Sequence, residues 1–435
     1  MELNKLKYSD WRLDLGTEDD MDQIKVIQTR TELSVGASPP ALTGISDSTE
    51  RERIYRNLRT TDWNISTMDR NPGTTDWNIS TMDRNLGTID WNSPLWTFQV
   101  VYLLYDSLAF EERALYVILG LQVIYYPPLA AVGVSVNLLA IVTLSRGKCG
   151  LSKCVTRYLV AMAAGDLMVI IFDLILRQIP IAYASHFRFL YSIPLCNIHA
   201  VLLFAATDCS VWFTITFTFD RFVAICCEKL KTKYCTERTA AVVLGTVILL
   251  SCLKNISWYF MFTGWYQFSN TPWFCLVTVS VVESRVWGVI ELLQYILTPG
   301  VPFVLILLLN AFTVRFILVA SRARRRLRGH SSGESPRDPE MESRRKSIIL
   351  LFLISGNFIL LWALLLVYSI WNRMFYLGFE SVFLSQFILE LGYMLQLLSC
   401  CTNTFIYAVT QTKFREQLKN VVKYPFIASV QIIKS

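Results

Sequence analysis

The sequence predicts an all-α fold: a seven-transmembrane helix bundle with a short amphipathic eighth helix and a disordered extracellular N-terminal tail. Three observations carry this. The chain is oily, with 53% hydrophobic residues, 17% charged residues and a mean hydropathy of +0.40, where a soluble domain averages roughly 25% charge. The apolar residues gather into seven long runs, at about 119–144, 155–180, 197–226, 239–262, 287–318, 347–371 and 383–409. The basic residues gather in alternate connections between those runs.

Each run meets or exceeds the ~20 residues that cross ~30 Å of hydrocarbon. Lipid offers backbone groups no partner, so spanning runs must be helices or closed barrels. A barrel would show alternating segments of ~10 residues, and the sequence has none. The division is then a tail over 1–115, a seven-helix domain over 116–410 and an amphipathic helix and tail over 411–435.

Orientation follows from the loops. Arg146, Lys148, Lys153 and Arg157 lie between spans one and two; Lys229, Lys231, Lys233 and Arg238 lie between three and four. Arg322, Arg324, Arg325, Arg326, Arg328, Arg344, Arg345 and Lys346 flank the connection from five to six, and Lys413, Arg415, Lys419 and Lys423 follow span seven. The other connections carry Arg188, Arg285 and Arg373. Positive charge collects on the cytoplasmic side, which places the N-terminus outside and the C-terminus inside. The net charge of +7 is therefore a topology signal. A nucleic-acid partner is not expected, because the arginine cluster is joined to two spanning helices.

The tail contains a tandem repeat. TTDWNISTMDRN begins at Thr60 and again at Thr74, and a degenerate copy begins at Thr88. The period is too short for the common solenoid units, and the polar composition points to disorder. Asn64 and Asn78 each head an N-x-Ser sequon on the outer side, where glycosylation is chemically allowed. Asn255 also matches but lies in span four. MELNKLKYSD lacks an apolar core, so span one is expected to act as the signal anchor.

Ionisable and polar groups inside a bilayer are costly, and each is a functional candidate. Asp166 sits mid-span in AAGDL, Asn137 in GVSVN, Ser210 on span three, and Ser399 and Asn403 on span seven. Their oxygens together suit a small hard cation and its waters. An ordinary polar network gluing helices together is the competing expectation.

Asp220 and Arg221 end span three. Adjacent residues on a helix do not face each other, so Arg221 is free to find a second partner while Asp220 restrains it in one state. Simple snorkelling to the interface is the plainer alternative. Cys196 opens span three and Cys275 lies in the connection from four to five, both on the outer side, where they can form a disulfide. The other nine cysteines read as apolar fillers, and Cys149, Cys154 and Cys235 face the reducing side. Pro302 removes a backbone hydrogen bond from span five. Phe358 and Trp362 lie one turn apart on span six, as do Asn403 and Tyr407 on span seven. Lys413, Phe414 and Arg415 open a segment suited to the membrane interface.

On these residues the chain resembles the rhodopsin-like G-protein-coupled receptors over about 116–425. Gly133 and Asn137, Asp166, Cys196, Asp220-Arg221-Phe222, Cys275, Pro302, Phe358-x-x-x-Trp362, Asn403-x-x-x-Tyr407 and Phe414-Arg415 occur in the family's order. The resemblance implies that Arg221, flanked by Asp220 and Phe222, engages a heterotrimeric G protein once released. It implies a sodium pocket of Asn137, Asp166, Ser210, Ser399 and Asn403, with no other cofactor. It implies a transmission core of Val211, Pro302 and Phe358 below Trp362, with Tyr407 closing the water path. A small-molecule or peptide ligand, the lipid bilayer, arrestin and receptor kinases are the further implied partners, at the plasma membrane.

The sequence also departs from the pattern. Leu364 and Thr404 stand where the family usually has proline, and Arg344 stands where many members carry an acid that latches Arg221. Asp220 is left to restrain Arg221 largely alone, which implies raised basal activity. Within the family the chain is similar to orphan receptors that respond to tryptophan and phenylalanine, through IYYPPL, SVWFT, FDRFVAIC, TERTA and LLLNAF. The acid and arginine with which those receptors are thought to grip the amino acid correspond here to Leu203 and Leu365. Leu203 also argues against a biogenic amine. The charged and polar candidates left for an outer pocket are Asp173, Arg177, Asp208, Glu291, Gln294, Tyr295 and Glu390; Asp173 and Arg177, four apart, are spaced to pair with each other.

Two other classes compete. A transporter or channel would show a continuous charged path or internal repeats among its spans, and no internal symmetry is visible. An enzyme would need a nucleophile and base; none of the common hydrolase or metalloprotease motifs occurs, so no catalytic activity is expected.

Overall fold

The computed structural model describes residues 95–103, 105, 108–183, 193–260, 285–328, 339–377, 379, 382 and 384–434. Asn64, Asn78 and Cys275 lie outside them, as does the side chain of Cys196. Among the described residues the regular structure is entirely helical.

A short helix, α1 (Trp96–Leu103), precedes α2 (Phe110–Ser145). Next, α3 runs Lys153–Val169, widens to π-type winding over Ile170–Gln178 and closes with Ile179–Ala182. Helix α4 is Ile193–Cys226, and α5 is a connector, Glu228–Tyr234. Helix α6 is Glu237–Asn255 with a 3₁₀ end at Ile256–Phe260. Helix α7 runs Arg285–Tyr295, passes through Ile296–Gly300 and continues as Val301–Arg328. Then come α8 (Pro339–Tyr376), α9 (Gln386–Thr410) and α10 (Thr412–Lys434).

Six of these helices, α2, α3, α4, α6, α7 and α8, are long and apolar enough to cross a membrane. The seventh expected span is α9. Its 25 residues reach about 37 Å at ~1.5 Å each, but it is less apolar because Glu390, Gln396, Ser399 and Asn403 are buried in the bundle. Several helices overrun the predicted spans, since helical hydrogen bonding continues through polar ends such as those of α7 and α8. Helix α1 and the start of α2 fall within the stretch assigned to the tail. Helix α1 forms because its apolar WTFQVVYL docks on α2: a Cβ at Gly120 would lie 2.6 Å from the Phe98 ring. Helix α10 is longer than the short segment expected; it buries Phe414 edge-on to Tyr407, ring centroids 6.1 Å apart, while Lys413, Arg415 and Lys419 stay exposed.

Proline shapes the end opposite Arg221. Pro127 has no amide to give the Val123 carbonyl, and the Tyr183 hydroxyl, from just past α3, donates to that carbonyl at 2.8 Å instead. Pro180 withholds the next amide in α3 and its ring crowds the preceding turn; the wide winding before it, which brings the Ile179 amide to Leu174 O, relieves that crowding. Helix α8, with Leu364 in place of proline, runs unbroken.

Helix α4 is the hub, packing against α3, α6, α7 and α8. Two glycines set close approaches. Gly165 lets α3 come near enough to α4 that a Cβ there would sit 3.2 Å from Ser210 Cα, and Gly392 lets α9 approach Leu365 Cα to 3.1 Å on the same measure.

Candidate functional site

Three polar sites lie along the bundle. The first is at the end of α4. Asp220 is fully buried and Arg221 nearly so. Arg221 Nε donates to Asp220 Oδ2 at 3.0 Å, and its Nη2 joins the same oxygen. Adjacent residues meet here because the long guanidinium folds back over a carboxylate that other helices hold in place. The Cys154 thiol, on α3, donates to Oδ1 at 3.2 Å, and the Cys235 thiol reaches the Asp220 carbonyl at 3.7 Å. Burial first, and then the Asp220 carboxylate, push the Cys235 thiol up to about 12. Phe222 is half-buried beside Phe219, ring centroids 6.4 Å apart. Tyr407 is fully buried, and its hydroxyl has no hydrogen-bond partner among the described residues.

The second site is mid-bundle. Asp166 accepts Ser210 Oγ at 2.6 Å and Asn403 Nδ2 at 2.8 Å, joining α3, α4 and α9. Two of the expected companions turn elsewhere. Asn137 Nδ2 donates to the Gly133 and Cys400 carbonyls, both at 2.9 Å, and its Oδ1 is buried with no partner among the described residues. Ser399 donates to Gln396 O at 2.6 Å and accepts Trp362 Nε1 at 3.0 Å. Trp362 in turn stacks on Phe358, centroids 5.4 Å apart, within a cluster of Val211, Ile215, Ile306, Phe358 and Trp362. Pro302 is buried one turn before Ile306. Ile306 is a member that sequence reasoning missed; its turn spacing from Pro302 was the available signal.

The third site is at the opposite end, and it is rich in charge. Asp173 and Arg177, both on the wide turn of α3, pair at 2.9 Å. The Arg177 guanidinium lies 5.0 Å from the centre of the Tyr393 ring, and its Nη2 has no hydrogen-bond partner among the described residues. Glu390 is buried and takes Gln122 Nε2 at 2.8 Å. Glu291 pairs with Arg373 across α7 and α8, a partnership the sequence did not signal, since Arg373 read as a loop charge. Leu203 and Leu365 are buried apolar residues, Leu365 against Tyr368, Leu389 and Tyr393. Asp208 and Gln294 do not join this group: Asp208 is tied to Lys254 and Asn255 on α6 and to Gln294 on α7. The expected pocket candidates therefore divide between this group and a separate network on α4, α6 and α7.

This is a multi-pass membrane bundle whose described interior is crossed by polar networks. The family model described as 7 transmembrane receptor (rhodopsin family) matches residues 136–407, well over half of the chain. The protein belongs to that family.

Proposed function

We propose that the protein is a plasma-membrane G-protein-coupled receptor, with its N-terminus outside and its C-terminus cytoplasmic, whose output is set by release of Arg221 from Asp220. The observation that carries this is the buried Asp220–Arg221 pair at the end of the hub helix where the basic residues gather. A buried charge paired this way strands its partner when the pair opens, so a second partner for Arg221 stabilises the open form. A heterotrimeric G protein supplies that partner, with arrestin and receptor kinases acting on the same face.

The outer site is the ligand pocket in this proposal. Arg177 offers an N–H with no hydrogen-bond partner among the described residues, and Glu390 a buried carboxylate hydrogen-bonded to the neutral Gln122 amide. A zwitterion meets both, its carboxylate on Arg177 and its ammonium on Glu390, with Tyr126 and Tyr393 as apolar walls. An aromatic amino acid or a short peptide has this chemistry. Ligand binding shifts the bundle only through different affinity for its two arrangements. Asp166 with Ser210 Oγ and the unpartnered Asn137 Oδ1 make a donor set of one carboxylate and neutral oxygens, which fits a monovalent cation such as sodium; bound there, it would neutralise Asp166.

The test is expression in cells with a panel of Gα classes, adding tryptophan, phenylalanine and short peptides. The proposal expects a basal or evoked signal that Arg221→Ala removes at unchanged surface expression. A signal indifferent to Arg221 would contradict it.

A further inference from the structure

We propose that Asp208 is a positioning residue for signalling: it anchors a polar strap across α4, α6 and α7 that holds the Thr298 turn against the Val211–Trp362 cluster while Arg221 is latched. This rests on the receptor proposal above.

Asp208 is fully buried. It collects donors from two helices: Lys254 Nζ at 2.7 Å and Asn255 Nδ2 at 2.6 Å from α6, and Gln294 Nε2 at 3.3 Å from α7. Lys254 also donates to Thr298 Oγ1 at 3.3 Å, and Trp212 Nε1 donates to the same oxygen at 3.1 Å. Thr298 leaves the helical conformation, at φ −149° and ψ 107°. Trp212 packs against the cluster that contains Phe358 and Trp362. The strap therefore runs from Asp208 through Lys254 and Thr298 to Trp212, and ends on the residues that meet Ser399.

Its position gives it leverage. Asp208 and Ser210 are two apart on a helix and so face different ways. At one level of the hub, α4 holds an Asp166 network on one side and an Asp208 network on the other. Glue between two helices needs one donor and one acceptor. Here a single carboxylate serves two helices, and its lysine is shared with the residue where α7 departs from helical geometry. The turn keeps a backbone bond of its own, Val301 N–H to Ile296 O, and Thr298 ties it to α4 and α6 through side chains. The strap is seen together with a closed Asp220–Arg221 pair, so weakening it favours the open arrangement.

The variant to test is Asp208→Asn/Lys254→Gln, which removes both charges together and leaves neither stranded. Single variants accompany it. Two readouts are taken: basal Gα activation per receptor at the surface, and amide hydrogen exchange of the purified receptor in lipid. The proposal expects basal activation raised several-fold, with faster exchange both at Ile296–Val301 and at Asp220–Cys226. Faster exchange confined to Ile296–Val301, with wild-type basal activation, would mean a purely structural contact and overturn it. Activation lost at normal surface expression would also overturn it, since the strap would then belong to the open form. If wild type and every variant are silent toward G proteins, the receptor proposal fails, and exchange at Asp220–Cys226 decides the strap alone.

Discussion

The Cys154 thiol donates to one oxygen of Asp220 at 3.2 Å, leaving the other for Arg221. A carboxylate held at one oxygen has less freedom to swing with the guanidinium, so Cys154 orients the pair from α3. A thiol is a weak donor and a hydroxyl a better one. Cys154→Ser is expected to tighten the latch and lower basal activation, and Cys154→Val to raise it, each by the several-fold that ~1 kcal/mol allows. Basal Gα activation per surface receptor checks both directions.

The Cys235 thiol, pushed up to about 12 by burial and by Asp220, holds almost no thiolate at neutral pH. Only the thiolate reacts. Maleimide labelling of Cys235 in the folded receptor is expected to be slow at pH 7 and to quicken steadily toward pH 9. Asp220→Asn removes one of the two causes and should quicken labelling at fixed pH. Mass spectrometry of the peptide containing Cys235 reads this directly.

Tyr183→Phe removes the hydroxyl that donates to the Val123 carbonyl, which Pro127 has no amide to serve. A buried acceptor left without a partner costs about 1–3 kcal/mol. The variant is expected to melt a few degrees lower in detergent, with its basal activation per surface receptor unchanged. A wild-type melting temperature would show that water serves the carbonyl equally well.

Gly165→Ala places a methyl 3.2 Å from Ser210 Cα, which is backbone and cannot swing away. Overpacking of this kind costs typically ~1–3 kcal/mol, and relief by parting α3 from α4 would lengthen the Ser210–Asp166 hydrogen bond. The expected result is lower thermal stability together with a weaker effect of sodium on ligand affinity. A stability loss with sodium sensitivity intact would separate packing from the cation.

The helices were legible because a run of apolar residues long enough for a bilayer has one solution, and the basic loops repeat at alternate ends. The Asp166–Ser210–Asn403 contact was legible because polar groups inside apolar spans must find one another, and the Phe358–Trp362 stack because the two lie one turn apart. Helix rotation was not legible, and it decides the rest. Gln122 and Glu390 meet across 268 residues of sequence. Lys254 reaches Asp208, Arg373 reaches Glu291, and Ser399 turns to Trp362 because of how neighbouring helices rotate and approach. The wide turn over Ile170–Gln178 was also missed, although Pro180 marked the place.

The most direct measurement compares basal Gα activation of wild type, Asp220→Asn, Arg221→Ala and the double variant at matched surface expression. Loss of a charge-assisted bond to Arg221 removes about 1.5–3 kcal/mol of restraint, so Asp220→Asn should raise basal activation by roughly tenfold or more. Arg221→Ala and the double variant should both be silent, because the released residue is the one that signals. Asp220→Asn at the wild-type level, or a double variant that keeps a raised signal, would contradict the latch.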